Sequence, residues 1–220
     1  MIYQLRILKG LLYSKRSFFQ LEKAETVYGL RANILILFFI SALVFYASGF
    51  AGIGTHVMSS ELTAVPDSTF EWLKNYFGLG RFIHGLVYAV LIIFFQALWF
   101  WTLTDIPYTK LIVLQTFIFP ILLLEQIINI VLAVQMDLPW FSSAFSLGPV
   151  AHYITDKRFL IYFLGSISLF KLWVISIQLY GMRILSTRRR LPSFIIIISI
   201  HIIFWLGTTF LAFLDFKKIL

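Results

Sequence analysis

Nine polar or charged side chains interrupt stretches that are otherwise apolar: His84, Gln96, Gln115, Glu125, Gln126, Asn129, Lys171, Gln178 and His201. A carboxylate, an amine and two imidazoles could pass a proton or hold an ion, and Glu125, Lys171, His84, His201 and Asn129 are the set from which an intramembrane polar network would be built. Other chemistries are poorly provided for. There is no cysteine, so thiolate nucleophiles, disulfides and thiolate metal sites are excluded. No HExxH or GxSxG motif occurs, and Gly49, Gly52 and Gly54 are not followed by the Lys-Ser/Thr pair of a phosphate loop. Glu125 is the one carboxylate inside an apolar stretch, which argues against paired-acid catalysis. Single histidines in separate stretches do not make a ligand set. Neither an enzyme nor a metal or cofactor site is expected.

These residues must be positioned by membrane helices. The 220 residues are 60% hydrophobic and 13% charged, with a mean hydropathy of +0.90, far less charged than the roughly 25% usual in soluble domains. Five stretches reach the roughly 20 apolar residues needed to cross a hydrocarbon core of about 30 Å, at about 33–53, 82–103, 111–134, 159–182 and 194–214. Backbone polar groups cannot be left unpaired in lipid, so these read as helices. The expected fold is all-α: a cytoplasmic amphipathic segment over 1–31, a five-helix membrane domain over 32–215 and a short external tail over 216–220. A basic leader ahead of an apolar stretch also resembles a secretory signal, with Ala47 and Gly49 small enough for cleavage. The long leader and the spanning length of the stretch favour an uncleaved first span.

Lys171 stands in the middle of the fourth stretch, where a charge costs about 2.5 to 3.5 kcal/mol on insertion scales, so a partner is expected. Glu125 lies nine residues from the outer end of the third stretch and Lys171 twelve from the outer end of the fourth. At about 1.5 Å per residue their depths differ by roughly 4.5 Å, within reach of a lysine. A Glu125–Lys171 pair that sets helix register is the expected arrangement, with a proton or ion relay through Glu125, His84 and His201 as the alternative. Pro120, inside the third stretch, should kink its helix and free a carbonyl. Ser48 and Gly52 would let the first span approach a neighbour closely.

In MIYQLRILKGLLYSKRSFF the spacing of Ile2, Leu5, Leu8 and Leu12, with Arg6, Lys9, Lys15 and Arg16, predicts an amphipathic helix on the membrane surface, in contact with lipid headgroups. Docking of a cytoplasmic protein is the alternative use of the same stripe. In the loop at 55–81, Asp67 or Ser68 can cap a short helix over TFEWLKNYF. The 135–158 loop is apolar enough to fold back on the bundle. Eleven lysines and arginines fall on the side of the N-terminus and of the 104–110 and 183–193 loops, against six on the other, which predicts a cytoplasmic N-terminus and an external C-terminus. Topology accounts for the net charge of +8 without nucleic acid as a partner.

The stretch IPYTKLIVLQTFIFPILLLEQIINIV, and then SLFKLWVISIQLYGMRIL with Trp173 and Gly181, resemble the membrane core of the Yip-domain family over about residues 30–215. The resemblance implies a five-helix membrane protein with a cytoplasmic N-terminus, and carries over no catalytic residue. Bacterial proteins of this type accompany ABC-type export systems and help them assemble. Eukaryotic members, partners of small GTPases in vesicle traffic, carry longer cytoplasmic regions than this chain has. The resemblance therefore implies a non-catalytic accessory or assembly subunit in a bacterial cell membrane, with membrane lipids and ABC-type permease or adaptor subunits as partners. The alternative is a small-solute or ion transporter or channel using the intramembrane polar residues.

Overall fold

The computed structural model describes residues 2–51, 53, 67–186 and 190–214, with side chains for all of these except 67–70 and 190–192. Gly52, the whole of 54–66, residues 187–189 and the tail from Asp215 onward therefore lie outside the described residues, as do the capping side chains of Asp67 and Ser68.

About 81% of the structure is helical, and the described residues are all-α apart from one short strand pair. In chain order the elements are β1 (Ile2–Gln4), α1 (Ile7–Leu12), α2 (Ser14–Glu22), β2 (Thr26–Tyr28), α3 (Leu30–Phe50), α4 (Asp67–Val90), a π-helical stretch (Leu91–Phe95), α5 (Gln96–Leu103), α6 (Tyr108–Met136), a 3₁₀ turn (Trp140–Ser142), α7 (Gly148–Ile154), α8 (Arg158–Gly165), α9 (Leu169–Leu185) and α10 (Arg190–Phe213). Among the described residues four helical runs, Leu30–Phe50, Glu71–Leu103, Tyr108–Met136 and Ser193–Phe213, are long and apolar enough to cross a membrane. At about 1.5 Å per residue, the 29 residues of α6 extend roughly 43 Å, more than the hydrocarbon thickness. This helix is the axis of the bundle: Leu111, Val113, Leu114, Phe117, Ile118 and Phe119 are all fully buried.

The N-terminal segment departs from the expected surface helix. β1 pairs in parallel with β2, Ile2 opposite Thr26 and Gln4 opposite Tyr28, and α1 and α2 form the crossover between them. A parallel pair requires such a connection. The resulting cap is packed into the bundle: Phe18 and Leu21 are fully buried, and the Phe18 ring meets Phe117 of α6 edge-on with centroids 5.8 Å apart. Gly10 lies directly on the Phe117 ring, which leaves no room for a Cβ. Burial pushes the Tyr3 hydroxyl pKa up, partly offset by its hydrogen bond with Ser17. The apolar periodicity was shared between two faces, one inward through Phe18 and Leu21 and one outward through Leu8, Leu12 and Phe19. A single surface stripe could not express that division.

The short helix expected over 69–77 is likewise not separate, because α4 runs unbroken from Asp67 into the second apolar stretch. α3 crosses α4 closely where Ser41 Oγ donates to the Gly85 carbonyl at 2.7 Å. A Cβ on Gly85 would come within 2.8 Å of the Ala42 Cα, so the small residue that matters for this approach is Gly85. Ser48 instead receives Arg81 Nε at 3.1 Å.

At one end of the bundle the cap meets the start of α6, and the loops before α6 and after α9 meet each other. Lys110 Nζ donates to the Glu22 carbonyl at 2.6 Å, and Ser186 Oγ donates to Asp105 at 2.6 Å. These are loops that the basic-residue distribution grouped with the N-terminus. At the opposite end Phe159 of α8 meets Phe213 of α10 at 6.0 Å. α8 and α9 together therefore run the length of the bundle, as a broken path rather than the continuous helix expected over 159–182.

Candidate functional site

The break explains the lysine. Between α8 and α9 the chain leaves helical geometry over Ser166, Ile167 and Ser168. Ser168 takes an extended conformation and its hydroxyl accepts from the Lys171 backbone N–H at 3.2 Å, forming the N-cap of α9. Lys171 thus occupies the first turn of a new helix, not the middle of an old one. Its ammonium reaches back to donate to the Ser166 carbonyl at 2.7 Å, satisfying an oxygen that the helix break would otherwise leave unpaired. Glu125 Oε1 lies 3.7 Å from the same nitrogen. The Glu125 carboxylate is 5% exposed, and its Oε2 has no hydrogen-bond partner among the described residues.

The 137–157 segment folds back and closes the break. Ser146 and Ser168 form an antiparallel bridge, with Leu147 N–H donating to the Ile167 carbonyl at 3.0 Å and Leu169 N–H to the Phe145 carbonyl at 2.9 Å. Backbone groups that hydrocarbon could not satisfy are thereby paired within the protein. Gly148 and Gly165 both sit against the Phe141 carbonyl, where a Cβ would collide with backbone. Asn129 belongs to this region: its Oδ1 accepts from Ser143 Oγ at 2.8 Å and ties the folded-back loop to α6. Ser142 and His152 add a 3.0 Å hydrogen bond inside the loop.

A second polar centre lies among α5, α6, α9 and α10. Gln178 Nε2 donates to Gln96 Oε1 and to Gln115 Oε1, each at 3.1 Å. Both amide hydrogens being donated, the Gln178 oxygen is the acceptor from His201 Nε2 at 2.8 Å, which places the imidazole proton on that nitrogen. All four side chains are buried. One glutamine thus joins three other helices, with each of its amide groups engaged. Gln96 begins the helical turn after the π-helical stretch, and Tyr108 Oη donates to the Phe94 carbonyl inside that stretch at 3.3 Å. A π-turn of this kind disturbs the regular backbone ladder and is often found beside functional residues.

The five residues expected to form one network are therefore divided. Glu125 and Lys171 meet at the helix break, and Asn129 holds the loop beside it. His201 belongs to the glutamine centre. His84 is exposed on the α3 side of the bundle, its ring 4.8 Å from that of Phe45. Pro120 lies within α6, which remains one helix from Tyr108 to Met136. Gln96, Gln115 and Gln178 carry the second centre; their signal in the sequence was an uncharged amide in each of three apolar stretches. Among the described residues no group of three His, Asp or Glu side chains converges on a point.

Comparison with protein-family models, with curated proteins and with solved structures finds no match for this chain.

Proposed function

We propose that the chain is an integral membrane protein with five crossings, the fourth broken at 166–168, that works without catalysis as an accessory or assembly subunit. The observation that supports this reading is how the intramembrane polar groups are used. Lys171 is engaged by Ser166 and Glu125, and His201 and three glutamines are engaged by one another. Groups committed to internal pairing serve to fix helix register, which leaves the outer surface to make contacts. That surface is apolar, with Leu172 and Trp173 of α9 and Phe39 of α3 turned outward.

The Yip-domain resemblance of the sequence points to an ABC-type exporter as host, with permease or adaptor subunits as neighbours. The same resemblance points to a bacterial cell membrane, and the basic-residue asymmetry to a cytoplasmic N-terminus and an external C-terminus. Five crossings agree with that orientation. A photo-reactive residue replacing Leu172 or Phe39 in native membranes should give a discrete adduct with a second membrane protein. Purified protein in liposomes should move no solute. Flux by the protein alone, without adducts, would overturn the reading.

A transporter is the second reading, and the helix break favours it. Discontinuous helices place their ends at substrate and ion sites in many transporters, and here a buried carboxylate with an unpartnered oxygen lies beside such a break.

A further inference from the structure

The outward face of the N-terminal cap combines two chemistries. Leu12, Tyr13 and Phe19 are exposed there, Leu12 to 77%, and Lys15, Arg16 and Lys23 stand among them. Together these six residues line most of a groove of about 690 Å³. Over residues 2–25 there are five lysines and arginines against two glutamates, so the surface is basic as well as apolar.

Its depth decides what it meets. Phe117, which the cap touches through Gly10 and Phe18, lies nine residues into α6. At about 1.5 Å per residue this is roughly 13 Å along the axis from Tyr108. On the other side Phe18 lies against Gly181, one turn before the end of α9. The cap is thus packed along apolar helices, from the Glu22–Lys110 contact near the start of α6 to Phe117, and a membrane crossed by α6 would present its boundary between headgroups and acyl chains over that stretch. Leu8 and Ile2 of the cap are exposed as well.

We propose that this groove binds one anionic phospholipid of the adjoining leaflet, with Lys15, Arg16 and Lys23 on the phosphate and headgroup and with Leu12, Tyr13 and Phe19 along the acyl chains. The occupant follows from charge complementarity joined to an apolar wall. A soluble anion would use the cations and leave the wall in water, and a zwitterionic lipid would use the wall without a net charge to match. The inference is independent of whether the protein is an accessory subunit or a transporter.

The test uses the whole protein in nanodiscs of equimolar phosphatidylglycerol and phosphatidylcholine, released from the lipid and weighed by native mass spectrometry. Wild-type protein should retain phosphatidylglycerol in preference to phosphatidylcholine. An interfacial cation contributes about 1 kcal/mol of attraction to an anionic surface, so each of Lys15→Gln, Arg16→Gln and Lys23→Gln should lower that preference about fivefold. These positions are exposed, and each variant should keep the melting temperature of the parent in phosphatidylcholine alone. Phe19→Ser should weaken retention of both lipids and leave the preference in place. A photo-reactive residue at Tyr13 in native membranes should yield lipid adducts. Equal retention of the two lipids by wild-type protein, an unchanged preference in the three charge variants, competition by inorganic phosphate, or a discrete protein adduct at Tyr13 would each overturn the proposal.

Discussion

Replacing Lys171 by methionine should destabilise the protein in two separable ways. The ammonium satisfies the Ser166 carbonyl at 2.7 Å, and Ser166 is fully buried. Leaving that oxygen without a donor costs about 1 to 3 kcal/mol. Loss of the cation also strands Glu125, 3.7 Å away. Breaking a buried ion pair by removing one partner costs about 3 to 5 kcal/mol. That figure must be reduced here, because the Lys171 side chain is 25% exposed and the carboxyl can take up a proton. A total near 3 kcal/mol is expected for Lys171→Met. Glu125→Leu alone should cost about 1 kcal/mol, since the ammonium keeps its carbonyl. The double variant should recover the carboxylate part and keep the carbonyl part, ending about 1 to 2 kcal/mol below wild type. The coupling between the two sites is then about 2 to 3 kcal/mol, well above the few tenths found for independent positions. Equilibrium unfolding in mixed detergent micelles, read by tryptophan fluorescence, measures all three variants. Strictly additive losses would refute the pairing and leave the carbonyl as the sole reason for the lysine.

Gln178→Leu removes the junction of four helices and orphans the Gln96 and Gln115 oxygens together with the His201 N–H. A loss of about 3 kcal/mol or more is expected in the same unfolding assay, and a change under 1 kcal/mol would show that the cluster carries little weight. Gly181→Val should detach the cap, because even a Cβ would meet Leu114 Cδ1 at 2.6 Å and the Phe18 ring at 3.0 Å. Overpacking of this kind costs about 1 to 3 kcal/mol, and trypsin should then cut at Lys15 or Arg16 faster than in the parent. Ser168→Ala removes the N-cap of α9, with an expected loss of about 1 kcal/mol.

How far the sequence was legible depended on whether a signal was local. Runs of apolar residues marked α3, α6 and α10 because length and hydropathy alone identify helices of that kind. The nearness of Glu125 and Lys171 could be reached by counting along two helices, since rise per residue is nearly constant. The break at 166–168 was hidden because Ile167 and the flanking aromatic residues keep the average hydropathy high. Its signature was nevertheless present in Gly165, Ser166 and Ser168, the last standing three residues before Lys171. Other features were not readable by periodicity. The pairing of Ile2 with Thr26 joins residues 24 apart in sequence, and a parallel pair announces itself by no turn motif. The glutamine centre collects one amide from each of three helices and an imidazole from a fourth, and nothing in any one helix says which partner its amide will meet. Grouping His84 with His201 failed for the same reason: similar chemistry does not imply a shared face.

If the intramembrane charges hold the bundle in shape, apolar replacement of both should preserve function wherever it preserves the fold. The direct measurement is partner recovery by the Glu125→Leu/Lys171→Met double variant, photo-crosslinked through a reactive residue at position 172 in native membranes, with its folded fraction measured in parallel. The expected result is an adduct yield that follows the folded fraction and matches wild type per folded molecule. A double variant that folds but yields no adduct, or a wild-type protein whose liposomes transport a solute that the double variant cannot, would contradict the structural role and make Glu125 and Lys171 part of a pathway.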